Sequence, residues 1–521
     1  MPAGAFARLG IPLAQLKAFQ AGLQGTIVVP GDPTYDDDRM LFNPVFDNYP
    51  RAIINCLAVG DVRIALAMAK FAGQPVAVRS GGHCTAGFSS GPGFLVDVSA
   101  LNSIAVDATG LTVTVGPGCN FGTLDKTLNT YGLHVPGGEC PDVCVGGYVQ
   151  GGGYGFTSVT FGMNCDNVLS MEVMLQDGSI VIASPSVNYD LWWAMRGGTG
   201  NNFGVLLSVT YQLRPLGDCF GWALAWPLST AGDIQNAANV LMLLQQQYMR
   251  KSPYAPKMNI QVSFVYQTQM LLNGPISPQP FPVMMVRGLY VGDQASGGAA
   301  IAPLQQMAGC ITQWTMMSSF MDLNDKLLNY PQGLPNITTM PYEDKSSRYV
   351  TRDLTLQEWT TILQYFVTSN PALANNVYGY LEFYGGQIAA YDRDKSAFIH
   401  RDVVFNAVMD VFWYQNTERQ AAEHFLQGWN DMLAPMWDGG VYQNYCSLEL
   451  VDYVGAYWKD AIFGLWSVKQ KYAASKLFDY PQSVVSPMPP QGGPGPEIPI
   501  PPALQAALAQ PIQYLVPPAK A

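Results

Sequence analysis

The sequence predicts an α+β protein of two domains. Three observations support this prediction. Short strand-like runs alternate with amphipathic helical segments over the first 215 residues, and two glycine-rich loops interrupt that alternation. After Pro215 the glycine loops stop, and longer helical segments alternate with strands up to about residue 470. We therefore predict a first domain of residues 1–215, a second domain of residues 216–470, and a return of the chain to the first domain in residues 471–521.

Length and composition limit the classes of partner. The chain has 521 residues, of which 48% are apolar, so it can bury a large core. Its net charge of −11 disfavours binding to nucleic acid or to anionic membranes. The N-terminus lacks a secretory pattern, and no apolar run approaches the roughly 18 residues of a membrane span. We expect a cytoplasmic protein without nucleic-acid or membrane partners, or a secreted one if a leader was removed.

The first domain is predicted from short, clearly bounded elements. Asp61 stands where it would cap a helix that follows the strand AIINCLAV. The segment 168–184 reads as a hairpin that turns at Asp177-Gly178. Further strands are predicted at 74–78, 94–99 and 111–118, a helix at 120–132, and a helix, glycine loop and strand at 188–213.

The second domain is predicted as an antiparallel sheet backed by helices. Helical periodicity marks residues 231–249 and 419–433, whereas residues 258–266 and 283–292 are strand-like. The tail from Pro487 is rich in proline and glycine, so we expect it to be extended, and either surface-bound or mobile.

Two glycine-rich loops carry the chemistry. They read RSGGHCTAG at 79–87 and GGECPDVCVGGYVQGGGYG at 137–155. Such loops let the backbone approach a ligand closely, and successive N–H groups can bind a pyrophosphate without lysine. The Rossmann and P-loop signatures are absent. No metal site is predicted, because the four histidines are far apart in sequence, and the nine scattered cysteines suit reduced thiols.

Both loops, followed by LWWAMRGGTGNNFGV at 191–205, occur in an order and spacing that resembles one flavoprotein group. This group is the berberine-bridge-enzyme-like branch of the vanillyl-alcohol-oxidase family. The segment YQNYCSLE at 442–449 resembles its Asn-Tyr motif, and residues 469–487 resemble its C-terminal return segment. The resemblance implies a two-part PCMH-type FAD-binding domain and an antiparallel-sheet substrate domain backed by helices.

The resemblance also implies a bicovalently bound FAD. His83 matches the histidine joined to the flavin 8α-methyl group, and Cys140 matches the cysteine joined to C6. Because Cys144 lies close to Cys140, the sequence leaves open which of the two sulfurs bonds to the flavin. We favour Cys140, which holds the cysteine position of the Gly-x-Cys-Pro-x-Val pattern. On the residues alone, His83 reads equally as a turn histidine and Cys140 as a buried thiol. The predicted cofactor-binding set is Arg79, Ser80, Gly81, Gly82, His83, Gly87, Cys140, Val143, Gly146, Gly147, Gly153, Gly155, Asn167, Val168 and Asn444.

Two of these residues have further implications. Arg79 is either a charge partner of the cofactor or the partner of a surface carboxylate. Val143 matches the gatekeeper position that modulates oxygen access in the family, where valine accompanies oxidases. We therefore expect molecular oxygen as the electron acceptor and hydrogen peroxide as the product.

The resemblance identifies Tyr445 as the catalytic base. A free tyrosine has a pKa near 10, so its neighbours would have to tune it. Tyr154 matches a second active-site tyrosine. Glu382, a rival base, and Gln387 flank a segment that enters the substrate side of the pocket in relatives.

The implied reaction is oxidation of a C–OH group of a carbohydrate or a secondary-metabolite alcohol, by hydride transfer to flavin N5. Two alternatives stay open: an oxidative C–N or C–H cyclase of alkaloid or polyketide tailoring, and a non-catalytic binding protein with the flavin fold. The expected partners are a small-molecule substrate and oxygen, and the sequence predicts no oligomeric state.

Overall fold

The structure is a computed structural model of the whole chain. It describes residues 9–249, 253–254, 256–270, 275–328, 340–369, 376–487 and 500–517. Within these ranges no helix is both long enough and apolar enough to cross a bilayer.

A small four-stranded sheet contains the strand that leads into the first glycine loop. Its strands are β1 (Thr26–Val28), β2 (Ala52–Asn55), β3 (Val76–Arg79) and β4 (Phe94–Asp97), in the order β1-β2-β4-β3. β2 and β3 run parallel to β4, which is consistent with the helix Val59–Phe71 that joins β2 to β3. The helix begins two residues earlier than predicted, so Ala58 is its N-cap and Asp61 its third residue. The Asp61 carboxylate still closes the N-terminal end by accepting the backbone N–H of Leu57 at 2.9 Å and of Ala58 at 3.2 Å.

A second, six-stranded sheet is antiparallel and has the order β19-β9-β8-β10-β6-β5. Its strands are β5 (Ile104–Asp107), β6 (Thr112–Val115), β8 (Val168–Met174), β9 (Ile180–Ala183), β10 (Val205–Gln212) and β19 (Tyr514–Val516), and a separate pair joins β7 (Leu133–His134) to β11 (Arg214–Pro215). The predicted hairpin is confirmed: β8 and β9 pair, and Gly178 takes the left-handed conformation with φ +80°.

The third sheet is the predicted antiparallel one, with seven strands in the order β15-β12-β14-β13-β17-β18-β16. These strands are β12 (Cys219–Pro227), β13 (Met258–Gln267), β14 (Phe281–Tyr290), β15 (Ile311–Ser318), β16 (Tyr342–Val350), β17 (Val377–Phe383) and β18 (Phe405–Trp413). Helices Ala231–Gln247, Leu356–Thr368 and Asn416–Leu433 pack on one face and share its apolar core. The α+β class is therefore confirmed, whereas the boundaries 1–215, 216–470 and 471–521 stay predictions.

The remaining helices of the described residues have at most 12 residues each. They are Leu13–Gly22, Tyr35–Asp38, Phe121–Asn129, Val145–Gln150, Ser158–Phe161, Tyr189–Ala194, Gln294–Gln305, Phe320–Leu328, Gly386–Ala390, Tyr453–Tyr457, Ile462–Tyr472 and Pro502–Leu508, with 3₁₀ turns at Asn164–Asn167, Arg393–Lys395, Gln443–Tyr445, Lys459–Ala461 and Lys476–Phe478.

The prediction of an extended tail is wrong for the helix Pro502–Leu508 but agrees with the strand β19. Residues Pro502–Leu508 form a helix, and β19 pairs with β9 at the edge of the six-stranded sheet. Asn188 donates a hydrogen bond to the carbonyl of Gln513 at 2.9 Å, which holds the tail in place. Proline suits the first turn of a helix, because its missing N–H has no partner there anyway. Residues 488–499 lie outside the described residues.

The period of two in a strand determines which face of the seven-stranded sheet is polar. In β17 the side chains of Leu381 and Phe383 join the apolar core under the helices. The alternate residues Tyr378, Tyr380 and Glu382 point to the opposite face, toward the glycine loops. This face of the sheet therefore forms a polar wall opposite the glycine loops.

Candidate active site

A cavity of about 870 Å³ separates the two glycine loops from the polar face of the seven-stranded sheet. His83 and Cys140 enter it from different loops. The other predicted residues that line it are Ser80, Gly81, Gly82, Val143, Gly146, Gly147, Tyr154, Asn444 and Tyr445. The structure thus brings together residues that are up to 365 positions apart, since the set runs from Ser80 to Tyr445.

The first loop turns sharply to present His83. Gly82 adopts φ +73°, a conformation that favours glycine, and a Cβ on Gly81 would lie 3.1 Å from the sulfur of Cys144. The imidazole of His83 stacks on the ring of Phe42 with centroids 4.1 Å apart. Burial lowers the pKa of His83, so its ring is neutral at physiological pH and keeps one nitrogen lone pair free of a proton.

The second loop presents two thiols to the cavity. Cys140 is open to the cavity, while the protein atoms around the cavity shield its sulfur from bulk water and raise the pKa of that thiol to about 12. The thiol of Cys144 instead donates to the carbonyl of Gly118 at 3.3 Å. A Cβ on Gly147 would meet nothing within 4 Å, so this part of the loop presents bare backbone to the cavity.

Three predicted glycines do not line the cavity, and protein contacts explain why each position needs glycine. A Cβ on Gly87 would lie 2.6 Å from the ring of Phe46. One on Gly153 would lie 2.4 Å from the ring of Tyr148, and one on Gly155 would lie 1.8 Å from a backbone carbonyl oxygen. These glycines allow close packing within the protein and do not contact the cavity.

Arg79, Asn167 and Val168 also lie outside the cavity lining. The guanidinium of Arg79 pairs with Asp97 at 2.5 Å, so its partner is a carboxylate, but a buried one and not the surface carboxylate that was predicted. Asn167 donates to the backbone carbonyls of Phe161 and Met163, each at 3.1 Å. Val168 belongs to the hydrophobic core. Their polar groups are satisfied by the protein itself.

Tyr445 and Glu382, predicted as rival bases, are in direct contact. Tyr445, in the 3₁₀ turn Gln443–Tyr445, donates its hydroxyl to Oε1 of Glu382 at 2.9 Å. Asn406 donates to Oε2 of the same carboxyl at 2.9 Å. Glu382 is 1% exposed and does not line the cavity, whereas Tyr445 does. The carboxyl is thus reached from the cavity through the tyrosine.

Burial raises the pKa of both Glu382 and Tyr445. It raises the pKa of Glu382 to about 8. Burial, together with the nearby Glu382 charge, also raises the pKa of Tyr445 well above its ordinary value. The tuning expected of a lone tyrosine base would lower its pKa, so the surroundings of Tyr445 oppose that role and supply a proton acceptor instead.

The other two predicted catalytic residues differ in position. Tyr154 lines the cavity, but its hydroxyl donates to the carbonyl of Phe383 at 3.2 Å and its ring stacks on Tyr384 with centroids 5.1 Å apart. Gln387 lies in the short helix Gly386–Ala390 with its side chain exposed, outside the cavity. Tyr154 therefore shapes the wall. Gln387 does not line the cavity, and its catalytic role stays a prediction.

Asn444 ties the Asn-Tyr motif to the second glycine loop. Its amide donates to the carbonyl of Tyr148 at 2.9 Å and to the hydroxyl of Tyr442 at 3.0 Å. The Tyr442 hydroxyl accepts the N–H groups of Gly153 and Tyr154 at 2.9 and 3.0 Å. These bonds fix the position of Tyr445 relative to the loop that carries Cys140.

Sequence reasoning missed the charged residues of the sheet wall. Lys345 in β16 lies opposite Asp410 in β18, with the ammonium 3.1 Å from the carboxylate and 3.3 Å from the hydroxyl of Tyr380. The ammonium also lies 4.7 Å from the ring centroid of Tyr445. Burial alone would lower the pKa of Lys345, but Asp410 and Glu343 outweigh it and raise that pKa. The available signal was Asp410, a charged residue inside the largely apolar strand β18.

A second polar group continues this wall. Gln261 in β13 donates to Oε1 of Glu139 at 2.7 Å and accepts from the guanidinium of Arg287 at 2.6 Å. Burial raises the pKa of Glu139. Together with Tyr378 and Tyr380, these residues mix donors and acceptors, which suits a ligand rich in hydroxyl groups. Across the described ranges, no three His, Cys, Asp or Glu side chains group in a way that could hold a metal ion.

Comparisons with known proteins agree with this arrangement. Residues 50–184 match the family model of an FAD binding domain. The chain is 25% identical over 473 residues to an FAD-linked oxidoreductase of Bacillus subtilis strain 168, covering 89% of this chain and 98% of that protein. It is 28% identical over 490 residues to a carbohydrate oxidase of Microdochium nivale, covering 88% of this chain and 92% of that protein.

The fold is shown by solved structures as well. BBE-like 1 of Physcomitrella patens superposes with a TM-score of 0.77 at 23% identity, over 90% of this chain and 99% of that one. The near-complete coverage, the FAD-binding match and the two loop motifs agree. The chain therefore contains an FAD binding domain at residues 50–184, is similar over most of its length to FAD-linked oxidoreductases, and has the fold of a BBE-like protein.

Proposed function

We propose that this enzyme oxidises a C–OH group of a carbohydrate, or of a secondary-metabolite alcohol, with molecular oxygen as acceptor and hydrogen peroxide as product. The contact between Tyr445 and Glu382, at the edge of the cavity beside the glycine loops, carries the proposal. Similarity to a carbohydrate oxidase over most of the chain supports the substrate class.

FAD is held between the two loops in this proposal, bonded to His83 through its 8α-methyl group and to Cys140 through C6. Both side chains reach the same cavity, and the bare backbone at Gly147 leaves room for a close ligand. Oε1 of Gln443, a cavity residue, is buried without a hydrogen-bond partner among the described residues, so a ligand N–H would satisfy it. When bound, FAD supplies the hydride acceptor.

In this proposal each predicted domain binds a different ligand. Residues 1–215 and 471–521 form the FAD-binding part, and residues 216–470 supply the substrate wall. Lys345, Asp410, Glu139 and Arg287 line the substrate side and offer charged donors and acceptors for sugar hydroxyls.

The protein's own contribution is to remove the hydroxyl proton. The substrate hydroxyl gives its proton to the oxygen of Tyr445 as Tyr445 gives its own proton to Oε1 of Glu382. Tyr445 therefore never needs to be ionised in the resting enzyme, which suits its raised pKa. The ammonium of Lys345, 4.7 Å from the ring centroid of Tyr445, adds a positive charge beside this proton path.

The same geometry bears on the rival reactions. An oxidative cyclase with glutamate as its base needs that carboxylate in contact with substrate. Glu382 is fully enclosed and meets the cavity only through Tyr445, which favours alcohol oxidation. Val143 lines the cavity beside the loop cysteines, a position that suits control of oxygen access.

A substrate screen tests the proposal. The holoenzyme is mixed with mono- and disaccharides and with secondary-metabolite alcohols, and both anaerobic flavin bleaching and peroxide release in air are recorded. We expect at least one saccharide to bleach the flavin and to give one peroxide per oxidised alcohol. Tyr445→Phe should lose this activity, whereas Tyr349→Phe, which removes a buried hydroxyl outside the cavity, should keep it. Intact turnover in Tyr445→Phe with none in Glu382→Gln would contradict the proposal.

A further inference from the structure

Two cysteines meet beside the active site without being bonded. The sulfurs of Cys84 and Cys446 lie 3.5 Å apart, although the residues are 362 positions apart in sequence. Cys84 directly follows His83, and Cys446 directly follows Tyr445. Both thiols line the cavity, so a small molecule in it can reach them. The two cysteines thus bring the segment that carries His83 next to the segment that carries Tyr445.

The surroundings make the two sulfurs unequal. Hydrogen bonding from the Cys446 thiol, assisted by backbone groups at Ala86, Phe88 and Ser89, lowers the pKa of Cys84. The same contact raises the pKa of Cys446. By contrast, burial raises the pKa of Cys140 and Cys144, the other thiols that line the cavity. A thiolate-prone cysteine next to a second thiol is the arrangement found at peroxide-oxidised sites.

A neighbouring hydroxyl holds the second thiol in place. Thr85 donates to the carbonyl of Cys446 at 2.7 Å, and its oxygen lies 3.6 Å from the Cys446 sulfur. Both sulfurs therefore sit on segments already joined by a hydrogen bond. The two segments are therefore already close, and only a small movement of the sulfurs from 3.5 Å is needed to form a sulfur–sulfur bond.

We propose that Cys84 and Cys446 are a redox modification site at which a peroxide converts the two thiols into a disulfide. The sulfur of Cys84 attacks one peroxide oxygen, the O–O bond breaks, and Cys84 becomes a sulfenic acid as one water leaves. The sulfur of Cys446 then displaces the sulfenic oxygen as a second water, and the S–S bond forms. Two thiols are oxidised and one hydrogen peroxide is reduced to two waters.

During turnover the peroxide would come from the proposed oxidase reaction, so this source rests on the proposed function. Added peroxide oxidises the pair without that reaction. The disulfide would covalently tie the His83 loop to the Asn444–Tyr445 turn. The enzyme's own product would in this way fix the two segments that flank the cavity.

Thiol counting with peptide mapping tests the pair. Wild-type holoenzyme is treated with hydrogen peroxide, denatured, alkylated with N-ethylmaleimide and digested, and the peptides are identified by mass. We expect two fewer alkylated thiols and one linked peptide pair containing Cys84 and Cys446, which dithiothreitol reverses. Cys84→Ser and Cys446→Ser should each abolish the linked pair. Cys310→Ser, which changes a partly buried thiol outside the cavity, should behave as wild type.

Two results would overturn the proposal. One is an unchanged thiol count after peroxide, and the other is sulfinic acid on Cys84 with no linked pair. A parallel sample turning over substrate in air is mapped in the same way, and peroxide release is measured separately. Absence of peroxide there counts against the proposed function and not against the pair, because added peroxide tests the pair independently.

Discussion

Tyr445 donates its phenolic hydrogen to Oε1 of Glu382 across 2.9 Å, and the two residues are 63 positions apart in sequence. The tyrosine faces the cavity, while the carboxyl lies behind it and is held by Asn406. This order places a proton acceptor where the substrate cannot touch it directly. It is consistent with the proposed catalytic role of Tyr445, whose pKa is raised instead of lowered.

The pH dependence of turnover should follow Glu382. Its pKa is raised to about 8, so it is protonated below that pH and cannot accept a proton from Tyr445. We expect kcat/KM to fall by about tenfold per pH unit well below pH 8 and to level off above it. The measurement is kcat/KM from pH 6 to 10. Asp125→Asn is the matched control, because burial raises the pKa of that carboxyl to about 8 as well, outside the cavity. A flat profile, or one altered by Asp125→Asn, would count against the assignment.

Tyr445 and Glu382 should behave as one unit in a double-mutant cycle. Glu382→Gln keeps the shape of the side chain but cannot take up the proton, so we expect kcat to fall by roughly 10²- to 10⁴-fold. Tyr445→Phe should cost a similar factor, and the double variant little more than either single one. Flavin content, measured by absorbance, should stay unchanged in all three. If the factors by which the two single variants lower kcat multiply in the double variant, the two groups act separately.

Val143→Leu should slow the reaction with oxygen without slowing the reaction with substrate. The added methylene enters the cavity at a residue of the second glycine loop. We expect flavin reoxidation in air to slow on the order of tenfold, while anaerobic flavin reduction by substrate keeps its rate. Stopped-flow absorbance separates the two steps. Val265→Leu adds the same methylene on the opposite wall, and equal slowing in that variant would show that position 143 has no special role.

The buried ion pair between Asp166 and Arg401 should dominate the stability of this region. The guanidinium makes two bonds of 2.7 Å to the carboxylate, and the side chains are 3% and 5% exposed. Arg401→Met would leave the carboxylate buried and unpaired, at a cost of about 3–5 kcal/mol in the free energy of unfolding. Arg352→Met, in the more exposed pair with Glu358, should cost about 1 kcal/mol or less. Thermal unfolding of both variants compares them, and similar Tm values would contradict the expectation.

Local elements were predictable from sequence because short-range rules determine them. Gly178 in the left-handed conformation explains the hairpin, and Asn120, by accepting the N–H of Thr123 at 2.9 Å, explains the start of the helix Phe121–Asn129. The loops that carry His83 and Cys140 were likewise identifiable, since their glycines leave a dense local pattern. That both loops reach one cavity followed only from the family resemblance.

The sheet wall could not be predicted, because it depends on strand register. Lys345 and Asp410 face each other only through the pairing of β16 with β18, and a shift of one residue would point them to the opposite face. Glu382 and Tyr445 were identified as rivals, and only the fold shows that they touch. The exposed position of Gln387 could not be predicted either, because it depends on a short helix that turns the side chain outward just after β17 ends. The tail was judged from its proline content, whereas its last residues pair with β9.

The central claim is that flavin is bonded between His83 and Cys140, and one measurement tests it directly. The protein is purified, denatured in acid and pelleted, and the pellet is digested so that flavin-bearing peptides can be identified by mass. We predict that the yellow colour stays with the pellet and that the flavin links a peptide containing His83 to one containing Cys140. Colour that leaves with the supernatant, or flavin bonded to Cys144 instead of Cys140, would contradict the account.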